Sequence, residues 1–247
     1  MFRLLCITAH PDDEVGGFGG TLLLYGSRGV ETYVTCLTPG QAATNRGGAR
    51  SDAELAAMRR AEFAEACKIL RVHHGEVLDY PDARLYRVDF FEVVGVLTRR
   101  IREIRPHVVL TIGPEGAITA HPDHSMASVF ATVAYHWAGR SNHYPEQLIN
   151  GLKPHRAQKL YYATANFVLE DRPPVSLPPA TAIIEVGDIL ETKIIAFSAH
   201  VSQRPLLPIF EKTIRNRGAC ERYHLAAAIT PRTLDGIEHD LFTGVIE

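Results

Sequence analysis

The chain has 247 residues, 46% of them hydrophobic and 22% charged, with a formal net charge of −2 at pH 7. This length makes one large domain or two small ones and buries about 70–75% of the unfolded surface. So little net charge excludes the electrostatic footprint of a nucleic-acid or anionic-membrane binder, and no apolar run approaches the length of a membrane span.

Phe2 to Ile7 is a short apolar run that predicts a buried first strand. It is too short for a signal-peptide core, and it ends at Ala9-His10-Pro11-Asp12-Asp13-Glu14. A histidine and paired carboxylates after a strand sit where open α/β sheets keep their ligands. Gly16, Gly17, Gly19 and Gly20 follow, before a second strand over 30–38 that is rich in β-branched residues. Strand, glycines and helix invite a dinucleotide-binding reading. That reading fails, because Leu22 takes the third glycine position, no acidic residue ends the second strand, and Asp12, Asp13 and Glu14 would face the pyrophosphate. The glycines are expected instead to allow close helix–sheet packing.

Residues 39–50 form a polar loop, and Ser51 with Glu54 predicts a capping box for a helix carrying Leu55, Met58, Phe63, Ala66, Ile69 and Leu70 inward. A short third strand is expected at Val77-Leu78, then a loop over 80–85 and a helix over 89–103 that stops before Pro106. The strand 107–112 precedes Gly113-Pro114-Glu115 and then His121-Pro122-Asp123-His124, where Pro122 suits a first helical turn. Met126, Val129, Phe130, Val133 and Trp137 are the expected buried face of that helix. A long connection over 139–158 reads as lid or surface. Further strands are expected over 159–164 and 182–186, separated by the stiff proline-rich loop 172–179. Asp188 then caps a helix to Gln203, and an amphipathic segment over 206–217 and an alternating apolar run over 224–229 complete the chain. Helices alternate with strands, so the expected fold is α/β with a mostly parallel sheet flanked by helices, in a single domain over 1–247. The four cysteines (6, 36, 67, 220) form no C-x-x-C pair, which predicts free thiols and a reducing cytoplasm. The sequence leaves room for a homo-oligomer.

Two His/Asp clusters, each after a strand, match a frequent ligand set for a catalytic metal, two imidazoles and one carboxylate with open positions. The pairing of A-H-P-D-D-E with H-P-D-H resembles the LmbE-like (PIG-L) metal-dependent de-N-acetylases. The similarity extends to Arg59-x-x-Glu62 and to the late stretch from Lys193 through Ala196 and His200 to Ser202-Gln203. The resemblance implies a Rossmann-like fold and a metal-dependent hydrolase that removes the acetyl group from an N-acetylated amino sugar or its conjugate. It places His10, Asp13 and His124 on the metal, with zinc expected and ferrous iron the alternative. Asp12 is then the general base, His121 stabilises the oxyanion, and Asp123 orients His121.

Arg59, Gln41, Asp82, Thr119 and His200 are the expected substrate-side residues. Gln41 stands where many relatives carry Glu, Thr119 where sugar-specific ones can carry Tyr, and Ala83 where the family's P-D-G-x-L loop has glycine. Two other functions fit the same motifs: an amidase for a thiol conjugate or another acylated amine, and a catalytically silent sugar-binding or scaffold protein. The intact set His10, Asp12, Asp13, His121 and His124 argues against the silent scaffold.

Overall fold

Alternate side chains of the first strand, β1 (Arg3–Thr8), enter two different cores. Leu4 and Cys6 point into one, Leu5 and Ile7 into the other. This is the two-residue period of a strand covered on both faces. The computed structural model describes residues 1–168, 173–230 and 236–247.

On the first face, β1 meets α1 (Asp13–Ser27) through Val15, Phe18 and Leu22, α2 (Asp52–Ile69) through Phe63 and Ala66, and Phe197 of a later helix. On the second face lie α3 (Phe90–Ile104), with Val93, Leu97 and Ile101, and α4 (Pro122–Ala138). The buried face of α4 is largely alanine: Ala127, Ala131, Ala134 and Ala138 surround Phe130, while Val129 is exposed. The expected stripe was therefore right at Phe130 and wrong at Val129, because small residues let α4 lie close to α3.

The expected α/β architecture is present. Among the described residues, β1 joins β2 (Glu31–Cys36), β3 (His74–Val77), β4 (Val108–Ile112), β5 (Lys159–Thr164), β6 (Ala182–Glu185) and β7 (Cys220–Ala228) in one sheet ordered β3-β2-β1-β4-β5-β7-β6. The pairs from β3 to β5 are parallel, and β7 runs antiparallel to both β5 and β6. The chain winds outward from β1 through β2 to β3, then returns to β4 on the other side of β1. This reversal opens a crevice at the carboxyl ends of β1 and β4.

Both expected helix starts are capped. Ser51 Oγ accepts from Glu54 N at 3.1 Å, and Asp89 Oδ1 accepts from Glu92 N at 2.8 Å. β3 lies at 74–77 rather than 77–78, because it pairs in register with Tyr33 to Cys36. The late helix differs more. Asp188 gives no side-chain cap, α6 spans only Leu190–Ser198, and a 3₁₀ segment over Val201–Leu206 leads into α7 (Leu207–Arg217). His200, Ser202 and Gln203 each turn to a different inward partner, and a regular helix cannot present all three. The 139–158 connection holds a short helix, α5 (Pro145–Ile149), and is pinned down by buried Arg102, which donates to the carbonyls of Ala138, Arg140, His143 and Tyr144 and to Gln147 Oε1. It packs as surface and not as a lid. Pro173 to Pro179 is irregular, as expected, and Arg172 lies outside the described residues. All four cysteines are free.

Of the α1 glycines, Gly20 needs its missing side chain, since a Cβ there would lie 2.7 Å from Val186 Cγ1. Gly16 has open space around it.

Candidate metal centre

The central crevice receives both motifs. The chain leaves β1 through Ala9-His10-Pro11 and enters α1 at Asp13. It leaves β4 through a loop and a 3₁₀ turn over Ala117–Thr119, then enters α4 with His121 as its N-cap and Pro122 in the first turn. The rings of His10, His121 and His124 come together with centroids 4.9–5.2 Å apart.

Hydrogen bonding fixes which nitrogen of His124 and of His121 faces the crevice. His124 Nδ1 lies 3.3 Å from the carbonyl of Gly116, so it carries the proton and leaves the Nε2 lone pair facing Asp13 Oδ1 at 3.1 Å. His10 Nε2 lies 3.0 Å from Asp82 Oδ1 and 3.5 Å from Asp123 Oδ2 without an aligned hydrogen bond to either, and its Nδ1 lies 3.5 Å from Asp13 Oδ2. Asp13 is held from behind by the backbone N–H groups of Ala9 and His10. Both imidazoles thus face one carboxylate, and His10 with His121 and His124, and His10 with Asp82 and Asp123, each bring ligand atoms within 4.8 Å of one another, so the centre could hold a metal ion. These donors fit a divalent metal. His121 differs: its Nδ1 accepts from Asp123 N at 3.2 Å, so Nε2 carries a hydrogen and serves as a donor.

The electrostatics follow. Burial disfavours the charged form of His10, but the carboxylates of Asp123, Asp13 and Asp82 outweigh it and hold its pKa well above the ordinary value. Burial likewise raises Asp13, and His124 and His10 overcome it, holding that carboxyl well below the usual range. Burial and the neighbouring charges of His10 and His124 lower His121, which keeps it neutral. Asp12 is pushed up to about 6 by burial, against the pull of Arg59, while 19% of its side chain remains exposed. Such a carboxyl is poised for proton transfer near neutrality.

The remaining expected residues are placed as follows. Arg59 is 3% exposed and donates to Asp12 Oδ2 at 3.0 Å, to Gly40 O at 3.0 Å and to Pro11 O; it grips the first motif from below. Gly40 has φ +67°, and a Cβ there would lie 2.0 Å from Arg59 Nη1, so glycine is required. Gln41 follows it at the rim with its Oε1 buried and unpartnered. Asp82 accepts from Ala42 N at 2.7 Å and backs His10, on a loop where Ala83 keeps a left-handed φ of 60° despite replacing the family's glycine. Thr119 Oγ1 lies 3.4 Å from His124 Nδ1. The Asp123 carboxylate accepts from Leu85 N and faces His10, so only its backbone N–H serves His121. His200 is fully buried against Glu14 at 2.7 Å and does not reach the crevice. Glu14 is the residue that sequence reasoning missed. It closes the A-H-P-D-D-E motif, but no partner for it is legible in the sequence, and therefore no role.

A mostly parallel α/β sheet carries at its switch point a His/Asp site that could bind a metal. The chain belongs to the PIG-L family: the family model for GlcNAc-PI de-N-acetylase matches residues 5–135. Among its relatives, diacetylchitobiose deacetylase of Thermococcus kodakarensis is 32% identical over 203 residues, covering 82% of this chain and 70% of that protein. A 1D-myo-inositol 2-acetamido-2-deoxy-alpha-D-glucopyranoside deacetylase of Catenulispora acidiphila is 30% identical over 98% of this chain and 97% of its own length. The solved N,N'-diacetylchitobiose deacetylase of Pyrococcus horikoshii superposes with a TM-score of 0.77 at 26% identity, covering 94% of this chain and 87% of that one.

Proposed function

We propose that this protein is a metal-dependent hydrolase that removes the acetyl group from an N-acetylated amino sugar or its conjugate, acting as a single domain over 1–247. One observation carries the reading: the two adjacent aspartates face different ways. Asp13 lies between His10 and His124, while Asp12 turns to Arg59 with its pKa raised to about 6.

His10, Asp13 and His124 would hold the ion, zinc first and ferrous iron as the alternative. When bound there, a divalent ion supplies Lewis acidity and a water whose pKa falls toward neutrality, to about 7 in favourable sites. Asp82 and Asp123 orient His10. Asp12 takes the proton from the attacking water and delivers it to the nitrogen as the C–N bond breaks, leaving acetate and a free amine. Neutral His121 donates Nε2–H to the developing oxyanion.

The relatives named as deacetylases of diacetylchitobiose and of an inositol-linked acetamido-glucopyranoside support the substrate class. Free thiols, three of them buried, suit the cytoplasm, and no helix among the described residues is long and apolar enough to cross a membrane. The test is release of free amine from N-acetylglucosamine, diacetylchitobiose and inositol-linked N-acetylglucosamine by the zinc-loaded protein. Failure with all three rejects the proposal.

A further inference from the structure

Asp12 holds a backbone conformation that its side chain disfavours, with φ 109° and ψ −26°. A non-glycine residue there is strained and persists only where its surroundings over-determine it. Two grips do so. Arg59 holds the Asp12 carboxylate and the preceding carbonyl of Pro11. Glu14 Oε2 accepts the Asp12 backbone N–H at 2.8 Å.

Glu14 is fully buried, and a buried carboxylate with one neutral donor would be costly. Its other oxygen, Oε1, is met at 2.7 Å by Nε2 of His200, also fully buried. His200 is 186 residues away in sequence.

The two grips are joined. Glu62, one turn after Arg59 on α2, accepts both Ser202 N at 2.6 Å and Ser202 Oγ at 2.7 Å. The segment that presents His200 is therefore tied to the helix that presents Arg59. The Arg59-x-x-Glu62 motif and the late His200-x-Ser202 motif close one clamp around a single residue.

We propose that the buried Glu14–His200 pair is a positioning device that fixes the orientation of Asp12 and contacts no substrate. The proposal rests on the reading of Asp12 as the general base. Withdrawing His200 frees Glu14 to rotate, releases the Asp12 N–H and lets the strained residue relax away from the attacking water. Misplacement of a reacting group by about 1 Å costs on the order of 10²-fold in rate.

The experiment combines kinetics with amide exchange. In the metal-loaded protein, His200→Ala should lower kcat by about 10–100-fold with KM and metal content unchanged. Glu14→Gln, which keeps the volume, should lose less because its amide oxygen still accepts the Asp12 N–H, though more weakly than the carboxylate. In the Asp12→Asn background neither change should alter the residual rate by more than about 2-fold, since groups acting through one residue are non-additive. Independently of activity, exchange of the Asp12 amide should accelerate in both variants. Unchanged kcat in both, the same fold-loss in the Asp12→Asn background, or unchanged protection of the Asp12 amide in His200→Ala would each overturn the proposal. Wild-type turnover by Asp12→Asn alone would instead remove the general-base reading, with the amide-exchange result still standing on its own.

Discussion

Nε2 of His124 faces Oδ1 of Asp13 across 3.1 Å, with its lone pair turned toward the carboxylate because Nδ1 is committed to the carbonyl of Gly116. Two lone-pair atoms at that separation are compatible only with a proton or a cation between them. The first prediction is therefore about one divalent ion per chain, lost in His10→Ala, Asp13→Ala and His124→Ala. His121→Ala should keep the ion, because the His121 Nδ1 lone pair is already used by Asp123 N. Metal analysis by mass spectrometry decides between the two behaviours, and full occupancy in His124→Ala would reject this ligand set.

The second prediction concerns pH. The carboxylates around His10 outweigh its burial and hold its pKa well above the ordinary value, so near neutrality the metal-free ring is protonated. Coordination requires a neutral imidazole, so below that pKa an entering cation displaces the proton. The sign follows: metal affinity rises with pH and levels off once the pKa is passed, with protons released on binding. Titration calorimetry in two buffers of different ionisation enthalpy should give different apparent enthalpies. Identical enthalpies, with affinity constant across about pH 6–8, would contradict the arrangement.

The third prediction separates the paired aspartates. Asp12→Asn should retain the ion and bind substrate normally, yet lose about 10²–10⁴-fold in kcat, the scale of a lost general base. Asp13→Asn should weaken metal binding first, and excess metal should restore part of its rate. Equal metal affinities in the two variants would remove the division of labour.

The fourth prediction concerns stability away from the crevice. Arg102 is 2% exposed and supplies donors to four carbonyls and to Gln147 Oε1. Arg102→Leu fills much of the volume but leaves those acceptors without a partner, at a cost of about 2–4 kcal/mol. Urea unfolding should show the loss as a lower midpoint, while metal content and kcat at low temperature stay near wild type. A midpoint within experimental scatter of wild type would mean that water replaces the guanidinium there.

The determinants of the site that lie within a few neighbouring residues were legible directly. The apolar runs at β1 and β4, the capping box at Ser51 and the helical segment over 89–103 are short-range features, so they specify elements before any packing occurs. The same holds for His10, Asp12, Asp13, His121 and His124, because each motif follows directly from a strand and alternating β and α elements bring those strand ends together. What only the tertiary structure decided is how each side chain is paired. Asp82 and Asp123 converge on His10 from separate loops, and Arg59 reaches Asp12 across 47 residues of sequence and Glu14 reaches His200 across 186. β7 enters antiparallel between β5 and β6 although nothing in its alternation states a direction. A buried charge is stable only with a partner, and the partner is chosen by which segments the fold packs together. Composition and periodicity carry no record of that choice.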